Sequence, residues 1–170
     1  MAQKPVEKVG ILAFSFALRK DSEPNPCNRR LAGETMRAVR LLENQGKQAA
    51  VISQWEVALA LPMPQISAIC VIREHRNKCQ YLDSDEVMEQ AAEIFHREGV
   101  AKVIVIAQRF IHIMKCKMLV RKAGFAVYPF KVRSIGFDKK SDQIWTRSRT
   151  KLVIYTIRQI FFGYRGPAQT

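Results

Sequence analysis

Residues 79–95 read CQYLDSDEVMEQAAEIF, so Asp83, Asp85, Glu86 and Glu89 place four acids within seven residues of a chain whose net charge is +13. Two readings apply. In the first, Asp83 is a helix N-cap, Glu86 occupies the N3 position and Asp85 sits near the positive end of the helix dipole. In the second, Asp83 and Glu86 are working carboxylates that bind hydroxyls or amines of a ligand, or serve as acid and base. Location favours keeping the second open, because the apolar run ISAICVI ends just upstream in Arg73, Glu74, His75 and Arg76. Acids and bases converge there.

Other residues with chemistry to offer also follow apolar runs. His112 stands past AKVIVIA with Lys115 three positions on, and a helix start bearing His and Lys suits an anion. The alternative is a packed helix-start histidine. Gln54, Trp55 and Glu56 follow AAVIS, where Trp55 reads equally as a packing aromatic. The segment SDQIWTRSR carries Trp145 and Arg147 just before the last helical stretch. It folds over the site in one reading, and Trp145 anchors that helix to the body in the other.

Some chemistries lack their signatures. No GxGxxG, GxxxxGK[ST] or GxSxG occurs, so the usual dinucleotide, P-loop and serine-hydrolase fingerprints are missing. No two of His75, His96 and His112 are spaced i, i+4, and Cys27, Cys70, Cys79 and Cys116 form neither a CxxC pair nor a disulfide scaffold. Metal binding is not expected, and the thiols are read as free.

Charge is unevenly spread. Residues 1–98 carry 13 Lys or Arg against 13 Asp or Glu, whereas residues 99–170 carry 15 against 2. That asymmetry points to an anionic partner: a small phosphate-bearing molecule, an anionic membrane surface or, with less support because no nucleic-acid motif is present, nucleic acid.

The elements that must position these residues follow from periodicity. Apolar runs at 9–17, 49–53, 66–72, 101–107 and 125–132 read as strands covered on both faces. Helical segments are expected from about Arg29 to Asn44 with Asn28 as N-cap, over residues 54–61, from Asp83 to about Glu98, over 110–124 and over 147–166. In the last, Val153, Ile157, Ile160, Phe161 and Tyr164 share a stripe that covers the sheet or, less readily, an anionic bilayer. Alternating strands and helices imply one α/β domain of Rossmann-like type, with about five mainly parallel strands, helices on both faces and a basic amphipathic C-terminal helix. At 170 residues and 48% hydrophobic the chain is long enough for one such core. Ligands of such sheets bind beyond the carboxyl ends of the strands, which selects Ser15, Gln54–Glu56, Arg73–Arg76, Gln108–His112 and Arg133–Ser134. The first apolar run is too short to span a bilayer, so a cytoplasmic protein, at most peripheral to the inner membrane, is expected.

The chain resembles the bacterial YdcF/SanA-like family of uncharacterised α/β domains. The resemblance rests on YLDSDEV, VIVIA, HIMK and KAGFAVYP in that order between Tyr81 and Val132, and more loosely on NRRLAGETMRAVRLL and SQWEVAL. It implies a parallel Rossmann-like sheet with a site at Asn28, Arg29, Glu56, Asp83, Glu86, His112 and Lys115. In this chain Gln54-Trp55 replaces the family's glycine-rich turn and Lys115 its usual Arg. Soluble members are linked to nucleotide-like ligands such as S-adenosylmethionine, so the resemblance implies a ligand of that class but no reaction; if the site is catalytic, transferase or hydrolase activity is the expectation.

Overall fold

The strand residues alternate between two buried layers. Ile11 and Ala13 point into one core with Ile104 and Ile106, and Leu12 and Phe14 into the other with Val103 and Val105. A strand covered on both faces must be apolar throughout, which is why the alternation of a half-exposed sheet is missing here. The structure is a computed structural model that describes residues 6–19, 24–62, 69–75 and 82–162, with side chains to residue 158.

Strands β1 (Lys8–Ala13), β2 (Gln48–Gln54), β3 (Ile69–Ile72), β4 (Lys102–Ile106) and β5 (Ala126–Val127) form one sheet in the order β3-β2-β1-β4-β5. Every pairing is parallel, with Ile11 opposite Val51 on one side and Ile104 on the other. The helices are α1 (Pro26–Asn44), α2 (Trp55–Ala58), α3 (Ser84–Arg97), α4 (Ile111–Lys122) and α5 (Arg149–Phe162), with a 3₁₀ turn at Ile144–Thr146. α1, through Leu31, Ala38, Val39 and Leu42, covers one face of the sheet, and Val57 of α2 and Leu152 of α5 join that core. α3 and α4 cover the other through Val87, Met88, Ala91, Phe95, Cys116 and Val120. Each such fully buried side chain contributes about 1.5–3 kcal/mol. The architecture is the expected single α/β domain of Rossmann-like type.

Close packing shows at Gly10. A Cβ there would lie 2.7 Å from Cε1 and 2.9 Å from Cζ of Phe95. Only hydrogen at this position lets α3 come down onto β1.

Several boundaries differ from expectation. The expected first strand ran to residue 17, but the ladder ends at Ala13, with one further bond from the Phe14 N–H to the Ile106 carbonyl at 2.9 Å. Beyond it both neighbouring strands turn into helices or loops. The expected fifth strand over 125–132 pairs only at Ala126–Val127, with the Tyr128 N–H adding a bond to the Val103 carbonyl. Pro129 has no N–H to carry the ladder on.

α1 begins at Pro26 with Asn25 as its cap, so Asn28 lies inside the helix and donates its own N–H to Asn25 Oδ1 at 2.9 Å. Asn followed by Pro at the first helical position is a stronger start signal than Asn28. On α5, Leu152 is buried and Val153 and Tyr155 are half-buried, while Ile157 is exposed. The expected stripe therefore does not face the sheet at Ile157, because the helix leans on the 3₁₀ turn, where Trp145 stacks on Tyr155 at 4.5 Å. The side chains of residues 160, 161 and 164 lie outside the described ones. Among the described residues no helix is long and apolar enough to cross a membrane.

Candidate functional site

Strand order reverses between β1 and β4, so the loops leaving these two strands diverge to opposite faces and open a crevice. The turn after β1 forms one wall. Its Ser15 N–H donates to Gln54 Oε1 at 3.0 Å, and its Phe16 N–H donates to Asn28 Oδ1 at 2.8 Å. Ala17 then takes a left-handed conformation, φ 72°. A residue with a Cβ pays about 1 kcal/mol or more there. The Ala17 carbonyl accepts from Asn25 Nδ2 at 2.7 Å and Asn28 Nδ2 at 3.2 Å, which holds the turn against that strain. Asn28 and Gln54, both read from sequence as ligand contacts, are buried and have these amide groups engaged in shaping the wall. Gln54 Nε2 also donates to the Leu82 carbonyl at 3.3 Å, tying the end of β2 to the start of α3.

Within this frame three buried polar atoms find no protein partner among the described residues: Glu56 Oε2, Gln108 Oε1 and His112 Nδ1. Their residues follow β2 or β4, on the two sides of the end of β1. Buried polar atoms are nearly always paired, and an orphan costs about 1–3 kcal/mol. Three at one end of one sheet leave hydrogen-bonding capacity there for water or another molecule.

Burial pushes the Glu56 carboxyl up to about 7, against smaller opposing hydrogen bonds to its own backbone and to the Ser15 and Gln54 side chains. It therefore sits near the point where it holds and releases a proton at neutral pH. Burial pushes His112 down to about 4, and the Lys115 ammonium adds to this, so the imidazole is neutral. Its ring lies 5.7 Å from Phe16 and 6.2 Å, edge-on, from Phe14, while Nε2 lies 3.2 Å from Ser84 Oγ. If the Ser84 hydroxyl donates, the proton is on Nδ1, the orphaned nitrogen.

The other expected residues lie around this centre or apart from it. Asp83 caps α3, its Oδ1 accepting from the Asp85 N–H at 3.0 Å and the Glu86 N–H at 2.9 Å. Glu86 accepts from Gln90 Nε2 at 2.7 Å. Lys115 reaches the exposed Asp85 carboxylate at 2.6 Å, on the outside of the pair α3 and α4. Arg29 is exposed and donates to the Pro24 carbonyl at 2.9 Å. His75 is half-buried after β3, and residue 76 lies outside the described ones. Of the expected set, Gln54 and Glu56 follow β2 and His112 follows β4, on either side of the turn after β1 that Asn28 and Gln54 hold.

Trp145 and Arg147 belong to a segment that straps the first turn down. Arg19 holds the buried Asp138 through two hydrogen bonds of 2.7 Å. The Leu18 N–H donates to Ser141 Oγ at 3.2 Å, the Asp142 N–H donates to the Leu18 carbonyl at 2.8 Å, and Arg147 Nε donates to the Ser141 carbonyl at 2.6 Å. Phe137 packs edge-on against Phe16 at 5.9 Å, and the Arg149 guanidinium sits 4.3 Å from the Phe110 ring. The strap thus touches the loops after both β1 and β4. Trp145 anchors α5, as one of the two sequence readings had it.

Among the residues of the centre, only Ser84 was not anticipated. Ser15 and Gln108 were visible only as residues at strand ends. Ser84 was hidden behind Asp83, and its signal was a hydroxyl at the first position of a helix that starts where β3 and β4 end. Among the described residues no group of three or more His, Cys, Asp or Glu is placed to hold a metal ion.

The fold and centre define an all-parallel α/β domain with a nearly neutral, partly orphaned polar cluster at its switch point. No family model and no curated protein matches the chain. Among solved structures, it is similar to pyruvate carboxylase from Rhizobium etli with the allosteric activator acetyl coenzyme-A, at 13% identity and TM-score 0.43 over 73% of this chain. A second, complete multifunctional pyruvate carboxylase from Rhizobium etli gives 16% identity and TM-score 0.41 over 73% of this chain. The chain spans only 10% and 11% of the length of those proteins. Likeness that faint carries nothing about activity.

Proposed function

We propose that this chain is a YdcF/SanA-like domain that binds a small, nucleotide-like molecule at the carboxyl ends of β1, β2 and β4. The single observation that carries the reading is the set of orphaned buried atoms on Glu56, Gln108 and His112. They suit the hydroxyl, amide or ring-nitrogen groups of a ligand such as S-adenosylmethionine or a nucleotide, since neutral donors and acceptors favour such groups over a buried charge. Glu56, titrating near neutrality, and the neutral His112 form an acid and base pair for a transferase or hydrolase reaction on the bound molecule.

A thermal-shift screen with nucleotides, S-adenosylmethionine and sugar phosphates tests this. A ligand at 100 times its Kd stabilises by about 2.7 kcal/mol, and that gain is expected to shrink in both Glu56→Gln and His112→Ala. A gain equal in both variants and wild type removes the site assignment. A second reading, docking of the basic half on an anionic membrane, is favoured by Met114 and Met118, 65% and 67% exposed on α4 beside Lys115 and Lys122. Vesicles in the same screen, bound at low salt and released at high salt, would carry it.

A further inference from the structure

A groove of about 460 Å³ runs between the outer face of α1 and the segment that follows β5; it takes in Arg133 and Ser134 after the fifth strand but none of Glu56, Gln108 and His112. Arg30, Glu34, Arg37 and Arg40 line it from α1, and Arg133, Ser134 and Ile135 from the opposite wall. Four arginines and one carboxylate thus line it, with no lysine and no exposed apolar side chain in the lining.

The arrangement is built rather than frayed. Glu34 is buried and accepts from Arg37 Nη2 at 2.6 Å, Arg37 Nε at 3.2 Å and the Arg133 N–H at 3.0 Å. Arg30 Nη1 donates to the Ile135 carbonyl at 2.9 Å, and Gly136, at φ 82°, leaves the room that Arg30 needs. Two guanidiniums are thereby fixed as walls. Arg40 is exposed, and the Arg133 side chain is 78% exposed with its Nε 4.0 Å from Glu34.

Gly33 supplies an independent observation. It lies inside α1, where glycine costs about 0.5–1 kcal/mol relative to alanine. A Cβ at this position would meet nothing within 4 Å, so packing gives no reason for glycine there.

We propose that this groove binds a small phosphate-bearing anion, with Arg40 and Arg133 closing on it from opposite walls. Planar guanidinium forks match phosphate oxygens in pairs, which point-like ammonium groups do not. The concave shape and the lack of an exposed apolar rim fit a compact phosphate group better than a bilayer.

The test is calorimetric titration of pyrophosphate into the wild type, into the double variant Arg40→Ala with Arg133→Ala, and into Gly33→Met. The methionine has space at its Cβ and fills the groove while leaving all four guanidiniums in place. Both variants are expected to melt no more than a few degrees from wild type and to bind on the order of tenfold more weakly. No binding by the wild type overturns the proposal, as does full affinity in either variant. Affinity lost in the arginine variant but kept in Gly33→Met would assign the patch to diffuse attraction of nucleic acid or an anionic bilayer.

Discussion

Glu56 and His112 should oppose one another in the dependence of stability on pH, and substituting either one uncovers the other. Folding raises the Glu56 carboxyl from 4.5 to about 7. The folded state then binds the proton more tightly than the unfolded chain, so this contribution is fully present below about 4.5 and is lost as pH rises through 7. Folding lowers His112 from 6.5 to about 4. Its contribution is present above 6.5 and is lost as pH falls through 4. At about 1.4 kcal/mol for each tenfold change in proton affinity, each amounts to about 3 kcal/mol, with opposite sign over nearly the same window.

In the wild type the two slopes largely cancel. In Glu56→Gln, which keeps an amide where the neutral carboxyl stood, stability relative to wild type should rise by about 3 kcal/mol from pH 4.5 to 7. In His112→Gln, stability relative to wild type should fall by about the same amount from pH 4 to 6.5. Urea denaturation at constant ionic strength, repeated at half-unit pH steps, measures both. The readout is the difference curve, in which every other titrating group is common to the proteins compared. Difference curves that are flat across this window would refute the burial argument for both groups.

Two further substitutions test the frame. Asp83→Ala removes the acceptor of two N–H groups at the start of α3 and should destabilise by about 1 kcal/mol, read as a lower urea midpoint at unchanged slope. A loss below a few tenths would mean that water replaces the cap in full. Gly10→Ala drives a methyl into Phe95 and should cost about 1–3 kcal/mol by thermal or urea unfolding; a neutral result would show that α3 slides on the sheet without penalty.

The sheet and its flanking helices were legible because burial on both faces leaves continuous apolar runs, of which residues 101–107 are the cleanest example. The cap at Asp83 was legible because its chemistry is local. The fifth strand was overdrawn, since an apolar run says nothing of whether a Pro129 without an N–H can stay in the ladder. The centre was harder. Ser84 and Gln108 look like any polar residues at the end of an element, and only the sheet order brings both to His112 or to its loop. The left-handed turn at Ala17 had no sequence signal, because that conformation is expected of Gly or Asn, and the two asparagines that hold it lie 8 and 11 residues downstream. Arg29 and Lys115 were expected to face an anion, yet the helical phase turned both outward, Arg29 to the Pro24 carbonyl and Lys115 to Asp85.

The strap from Phe137 to Arg149 also bears on the order in which the molecule is assembled. Its bonds to Leu18 and Arg19 join residues 123 and 119 positions apart, against 40 for the β1–β2 pairs such as Lys8 and Gln48 and 93 for the β1–β4 pairs such as Gly10 and Val103. Contacts of such long separation close late, because loop entropy must be met before they reward it. A nascent chain emerging from the ribosome would thus be able to pair its five strands while the turn beside His112 is still held only by Asn25, Asn28 and Gln54, with Leu152 joining its apolar layer afterwards. Closure of the turn beside His112 would follow the sheet as a separate and later event.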